Sequence, residues 1–311
     1  MSVAPGRSVA LVGATASGKS RLAHRVALEA GDVEILCVDA MTVYLGMDLA
    51  TAKPTRAERL EAPYHLIDLV DPCEEFTVAQ FQAAARGVAS SMSRRGAGAL
   101  YVGGTGLYGR AVIDDFEIPG QFPTTRAELE ARAVTDLPGL YAELSALDPL
   151  AASRMEASNA RRVVRALEVT VASGRPFSSY GPGLRTYGPV RIVQVGLSVE
   201  LAVLDARIEQ RFREWLEAGL LDEVEALAAR PGGLGRTARQ AVGYRELLRH
   251  VEEGASLEVC VQDALSQSRR LARRQRSWFQ RDPRIEWFDE PTRAAGRVAE
   301  VLNGTDGLVR D

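Results

Sequence analysis

Apolar positions along the chain fall into two textures. Short unbroken runs stopped by glycine or aspartate read as strands buried on both faces: "SVALV" before Gly13, "VEILCV" before Asp39, "GALYVGG" ending at Gly103 and Gly104, and "VRIVQVGLSV" after Pro189. Between them lie stretches whose apolar residues recur at helical spacing, beginning with "KSRLAHRVALEA". Runs of the first kind alternating with stretches of the second predict a parallel α/β sheet, whose ligands belong at the carboxyl ends of the strands.

From about Phe116 to Gly188 the pattern changes. Proline- and glycine-rich margins, "EIPGQFP" and "RPFSSYGPGLRTYGP", bracket the helical text "RAELEARAV" and "ARRVVRALEVTVASG". This predicts a helical insertion at residues 116–188 within a core made of residues 1–115 and 189–311. After the core resumes, "LAVLDARIEQRFREWLEAGLLDEVEALAAR" reads as helix, and a glycine-rich stretch leads to a long helix through Gln280. "IEWFD" reads as a possible edge strand.

Charge changes this picture locally. The net charge of −3 argues against a chain that coats nucleic acid non-specifically, yet "RRLARRQRSWFQRDPR" (269–284) carries seven arginines against one acid. Trp278 and Phe279 are set among these arginines, a mixture suited to RNA, where stacking and phosphate contacts combine. The alternative is a solvated face with two core aromatics. Three scattered cysteines, Cys37, Cys73 and Cys260, suggest neither zinc nor a disulfide framework, so the expectation is a reducing cytosol. No apolar run approaches the length of a membrane span. The three histidines are isolated, and none is assigned to a metal or to catalysis.

The most specific motif is Gly13-Ala14-Thr15-Ala16-Ser17-Gly18-Lys19-Ser20, a complete P-loop in strand-loop-helix context. Backbone N–H groups at a helix N-terminus form an anion nest, Lys19 neutralises charge, and the Ser20 hydroxyl can ligate Mg²⁺. The expected fold is therefore a P-loop NTPase-like parallel sheet core with an all-helical insertion domain. The motif does not name its guest. Asp39, at a strand end, is a helix cap or a carboxylate that meets Mg²⁺ through its waters on one reading and a general base on another. In "VGGTGLYGR" the glycines suit a tight turn, leaving Thr105 as the residue with chemistry to spare; Lys53, in "LATAKPT", reads best as solvated. Two function classes survive: a P-loop kinase of small molecules holding ATP, and an RNA-acting enzyme using a phosphorylated co-substrate.

Taken in order, "GATASGKS", "VDAMTVYLGMDLATAKPT", "YHLIDLVDP", "YVGGTGLY", "RRVVRALEV", "ARQAVGYRE" and "RRLARRQRSWF" resemble the bacterial tRNA dimethylallyltransferases. The resemblance runs from about Val9 to Trp287. It implies transfer of a dimethylallyl group from dimethylallyl diphosphate to N6 of the adenosine just 3′ of a tRNA anticodon, by a monomer, with ATP-dependent phosphoryl transfer as the alternative. By that resemblance Gly13 through Ser20 hold the diphosphate with Mg²⁺ near Ser20, Asp39 accepts a hydrogen bond from the attacking amine, Thr105 contacts the target nucleotide, and Arg211 reaches the diphosphate. With Lys19, these make the expected catalytic set.

The resemblance also implies tRNA contacts at Asp39, Ala40, Met41, Thr42 and Thr105, at Arg126, and at Arg161, Arg162, Val163, Val164 and Arg165. Further contacts fall at Gln240, Ala241, Val242, Gly243, Tyr244 and Arg245, and at Arg273, Arg274, Gln275, Arg276, Ser277, Trp278, Phe279 and Gln280. Several positions depart from the family pattern: Ala14 replaces a usual proline, Ala40 a usual serine, Thr42 a frequent glutamine, Ala50 a usual glycine and Tyr64 a frequent histidine. "EASN" at 156–159 stands where "HPND" is common.

Overall fold

The computed structural model describes residues 7–304. Their contacts divide into two units, one running to Asp114 and resuming at Pro189, the other Asp115–Gly188. The first unit is built on a parallel sheet with strands β1 (Ser8–Gly13), β2 (Val33–Cys37), β3 (Tyr64–His65), β4 (Gly98–Gly103), β5 (Val193–Leu197) and β6 (Ile285–Phe288), in the spatial order β3-β2-β4-β1-β5-β6. Every residue of β1 is buried. Its alternate side chains serve opposite faces. Val9 and Leu11 pack with Leu22, Val26, Ile35, Leu100 and Val298 under the helices Lys19–Ala30 and Pro291–Leu302, whereas Ala10 and Val12 join Leu36, Phe81, Phe212, Tyr244 and Phe279 on the other side.

Close approach explains two glycines at the head of β4. A Cβ on Gly103 would stand 2.0 Å from the Val38 carbonyl oxygen, and one on Gly106 2.1 Å from Trp278 Nε1. Both contacts leave room for hydrogen alone, so the end of β2 and the arginine-rich helix, Leu257–Phe279, can approach the β4 turn closely.

Three details differ from the hydrophobic pattern. The helix expected across residues 201–230 breaks at Gly219 (φ 94°) into Leu201–Glu217 and Leu220–Ala228. The second strand stops at Cys37, although the Val38 N–H still donates to the Val102 carbonyl. The two-residue edge strand β3 is too short to leave a period in the sequence.

The second unit is helical, with Pro123–Thr135, Leu137–Leu147, Pro149–Ser153 and Ala160–Ser173 around its own core of Leu129, Leu140, Leu144, Val163, Val164 and Leu167. Asp136, Asp148 and Asn159 cap three of these helices by accepting backbone N–H bonds.

Candidate active site

The phosphate loop leaves β1 at Gly13 and enters its helix at Lys19, with Gly18 in the left-handed region that the turn demands. Lys19 Nζ donates to the Ala14 carbonyl at 3.2 Å. Arg211, from the Leu201–Glu217 helix, donates from Nη2 to Thr15 Oγ1 at 2.7 Å and lies 4.6 Å over the Trp215 ring centroid. Arg207 donates to the Ala16 carbonyl at 3.3 Å. Burial lowers Arg211 to about 10. Burial, and then the Arg211 charge, lower Lys19 to about 8 against the opposing pull of Asp39. Two cations so desolvated and so close have a polyanion as their natural complement. Among the described residues, Ser17 Oγ and Arg211 Nε are buried without a hydrogen-bond partner, and Ser20 lies exposed on the first helical turn.

Beside this cradle stands a carboxylate and hydroxyl pair. Thr105 Oγ1 donates to Asp39 Oδ2 at 3.0 Å and accepts from the Ala40 N–H at 3.3 Å, while Asp39 Oδ1 accepts from the Met41 N–H at 2.9 Å. Thr105 occupies the N-cap of the Gly106–Ile113 helix yet makes no side-chain capping bond. Its hydroxyl is committed to Asp39 instead, which holds one carboxylate oxygen in a fixed direction.

The cradle and Asp39 open into one cavity of about 240 Å³. Thr15, Lys19, Ser20, Arg211, Asp39 and Gln275 supply its polar side, and Ala23, Ile35, Cys37, Val102 and Tyr64 an apolar wall. Burial, with Asp39 nearby, pushes the Cys37 thiol up to about 12, so it behaves as a small apolar group. The lining also includes Met41, Thr42, residues 50–54 and Glu58.

Lys53 is a correction to its reading as solvated. It is 7% exposed, and Nζ donates to Asp48 Oδ1 (2.7 Å), Asp68 Oδ1 (2.6 Å) and the Tyr44 carbonyl. Arg59 meets the other Asp68 oxygen at 2.6 Å. From the Leu220–Ala228 helix, Glu223 accepts the Asp48 and Leu49 N–H groups and the Tyr244 hydroxyl. Sequence offered little sign of this arrangement, because the partners of Lys53 converge only through the loop's own path.

The arginine-rich helix is less available than its composition suggests. Arg273 forms a two-pronged pair with Asp205 (3.0 and 2.7 Å), Arg269 meets Glu209, and Arg276 donates to the Val199 carbonyl. Gln275 turns inward, where Oε1 accepts the Thr15 N–H at 2.7 Å. Phe279 is buried in the core, and Trp278 packs against Gly106. Arg274, Ser277 and Gln280 are exposed, and Arg274 has no protein partner among the described residues.

The other expected RNA-contacting blocks divide in the same way. The side chains of Thr42, Val163, Val164, Ala241, Tyr244 and Phe279 are buried, Thr42 and Ala241 along the cavity, and Gly243 adopts φ 96° against Ala50. For Val163, Val164, Tyr244 and Phe279 the reason is helical spacing, which puts core residues between surface ones. Gln240 is exposed, Val242 lines the cavity, and Arg245 pairs with Glu246. Within the helical unit, Arg161 and Arg162 are exposed, whereas Arg165 donates to the fully buried Glu168 at 2.8 Å and Arg126 lies 3.7 Å from the same carboxylate.

A family model described as IPP transferase matches residues 42–282. The tRNA dimethylallyltransferase of Salinispora arenicola (strain CNS-205) is 43% identical over 308 residues, spanning 99% of this chain and 89% of the relative. That of Nocardioides sp. (strain ATCC BAA-499 / JS614) is 43% identical over 312 residues, spanning 98% of this chain and 100% of the relative. Among solved structures, the full-length tRNA isopentenylpyrophosphate transferase of Bacillus halodurans matches with a TM-score of 0.67 at 34% identity, over 96% of this chain and 98% of its own. A eukaryotic dimethylallyltransferase acting on tRNA shares the fold, with a TM-score of 0.78 at 23% identity over 95% of this chain and 79% of its own. With a family model matching most of the chain, including the helical insertion and the arginine-rich helix, and relatives matched almost end to end, this chain belongs to the IPP transferase family.

Proposed function

We propose that the protein transfers a dimethylallyl group from dimethylallyl diphosphate to N6 of the adenosine 3′ of a tRNA anticodon. The supporting observation is that one cavity combines a cationic phosphate loop, an apolar wall and Asp39, whose carboxylate Thr105 holds. A small-molecule phosphoryl acceptor gives no reason for an apolar wall beside the loop; a hydrocarbon chain on a diphosphate does.

The chemistry follows from where charge develops. The N6 lone pair is delocalised into the adenine ring, so attack needs a group that orients the amine and takes its proton. Asp39, with Oδ2 held by Thr105, supplies that carboxylate. The N6–carbon bond forms as the carbon–oxygen bond to diphosphate breaks; the N6 proton passes to Asp39, and diphosphate departs carrying the electron pair. Lys19, Arg211 and the loop amides stabilise the growing negative charge.

Among the described residues no group of three or more His, Cys, Asp or Glu is placed to hold a metal. Mg²⁺ fits this donor set as a hard cation held by the Ser20 hydroxyl and diphosphate oxygens while keeping waters of its own. When bound, it supplies further neutralisation of the leaving group. Exposed Arg274, Arg161 and Arg162 grip tRNA phosphates. We place the enzyme in the cytosol, a reducing compartment in keeping with its three free cysteines, and infer that it acts as a monomer.

The test is incubation with Mg²⁺, unmodified tRNA and either dimethylallyl diphosphate or ATP, followed by digestion and mass analysis of the nucleosides. Prenylated adenosine formed only with the diphosphate supports the transferase. ATP consumption with a small-molecule acceptor, and no prenylated adenosine, overturns it.

A further inference from the structure

Tyr64 closes the apolar wall at its far end, where Pro54 and Glu58 also line the cavity. Tyr64 lies on the edge strand β3 in register with Ile35 of β2. Ile35 stands two residues before Cys37 on that strand, about 7 Å farther from the strand ends where the phosphate loop sits. Tyr64 and Ile35 both line the cavity, but His24 and Glu61, beside the phenol, do not. The ring is thus the partition between the cavity and the residues behind it.

That partition is tethered. The Tyr64 hydroxyl and His24 Nδ1 are 2.9 Å apart, and His24 Nε2 lies 2.9 Å from Glu61 Oε2. The two rings stack with centroids 6.0 Å apart and 18° between their planes. With the carboxylate accepting from Nε2–H, Nδ1 is left to accept from the phenol, so a neutral imidazole is satisfied at both nitrogens. Burial raises the Tyr64 phenol above its ordinary range, which keeps it a donor. Swinging the ring aside breaks this chain of hydrogen bonds and costs the half-buried phenol its partner.

We infer that Tyr64, held by His24, is a specificity-determining residue that restricts the donor to a single isoprene unit. This inference rests on the prenyl-transfer reading. A diphosphate in the Gly13–Ser20 loop points its hydrocarbon along Cys37, Val102 and Ala23 toward Ile35, and a second isoprene unit requires the space the phenol fills. A phenol has roughly the bulk of one such unit, so trimming it extends the cavity by about that length.

The experiment compares dimethylallyl and geranyl diphosphate as donors to unmodified tRNA with Mg²⁺, reading kcat/KM for each prenylated nucleoside by mass. Wild-type protein is expected to favour dimethylallyl diphosphate, and Tyr64→Ala to raise the geranyl-to-dimethylallyl ratio by about 10-fold or more. Tyr64→Phe keeps the ring and loses the tether, and its ratio should fall between the two. His24→Ala leaves Tyr64 in place and guards against a folding defect in Tyr64→Ala; its ratio should rise several-fold. A ratio unchanged in Tyr64→Ala and His24→Ala, while dimethylallyl transfer continues, overturns the inference and leaves the transferase reading intact. Wild-type protein that uses both donors equally also overturns it. Failure of wild-type protein to transfer either group overturns the reading on which the inference rests.

Discussion

Thr105 Oγ1 donates to Asp39 Oδ2 at 3.0 Å across 66 residues of sequence, joining the turn after β4 to the segment after β2. The bond aims one carboxylate oxygen, and loss of either partner should therefore be felt in kcat more than in donor binding. Asp39→Ala is expected to lower kcat by about 100-fold or more, the scale of a lost general base. Thr105→Val should cost less, because the carboxylate remains while its orientation loosens. Steady-state prenyl transfer with a parallel diphosphate-binding measurement checks both, and near-normal turnover in Asp39→Ala would remove it from the mechanism.

Lys19 sets a pH dependence. Its folded value of about 8 lies below the unfolded value near 10.5, so the unfolded chain binds more protons between these limits. The stability of the ligand-free protein should accordingly rise with pH from about 8 to about 10.5, as a buried charge is relieved. Anion binding runs the other way. Inorganic pyrophosphate restores the ammonium and should bind with proton uptake above about pH 8, visible calorimetrically as a buffer-dependent enthalpy. Lys19→Met should abolish that uptake and be more stable than wild type at neutral pH without an anion.

Lys53 holds the loop that forms one cavity wall. Replacing it with methionine leaves the solvent-screened Asp48 and the Arg59-paired Asp68 without their shared cation and should destabilise the protein by about 1 kcal/mol in urea unfolding. Because residues 50–54 line the cavity, kcat/KM should fall as well. Unchanged stability would mean that Glu223 and Arg59 suffice to hold the loop.

The arginines should separate by their partners. Arg274→Ala and Arg162→Ala each remove an exposed cation and should flatten the slope of log tRNA affinity against log salt by about 0.7 to 0.9. Arg273→Ala should change it less, since Arg273 is already paired with Asp205. Filter-binding titrations at several salt concentrations distinguish them.

The apolar runs that became β1, β2, β4 and β5 carry a period of burial that any reader of the chain can see, and the phosphate loop is written in eight consecutive residues. Local order of that kind is legible because neighbouring residues alone dictate it. The proline and glycine margins of the helical insertion are equally local. What the chain could not reveal are relationships closed over long loops. Lys53 sits in an ordinary-looking loop and becomes buried only when Tyr44, Asp48 and Asp68 converge on it. Half the lure of the arginine run disappears once the facing helix offers Asp205 and Glu209. Tyr64 and His24, 40 residues apart and each unremarkable alone, meet because a two-residue strand pairs at the sheet edge beside the phosphate-loop helix. Periodicity and motif determined the elements and the phosphate loop; the packing of those elements decided which side chains are neutralised, which are buried and which face the cavity, because desolvation and charge pairing depend on neighbours in space.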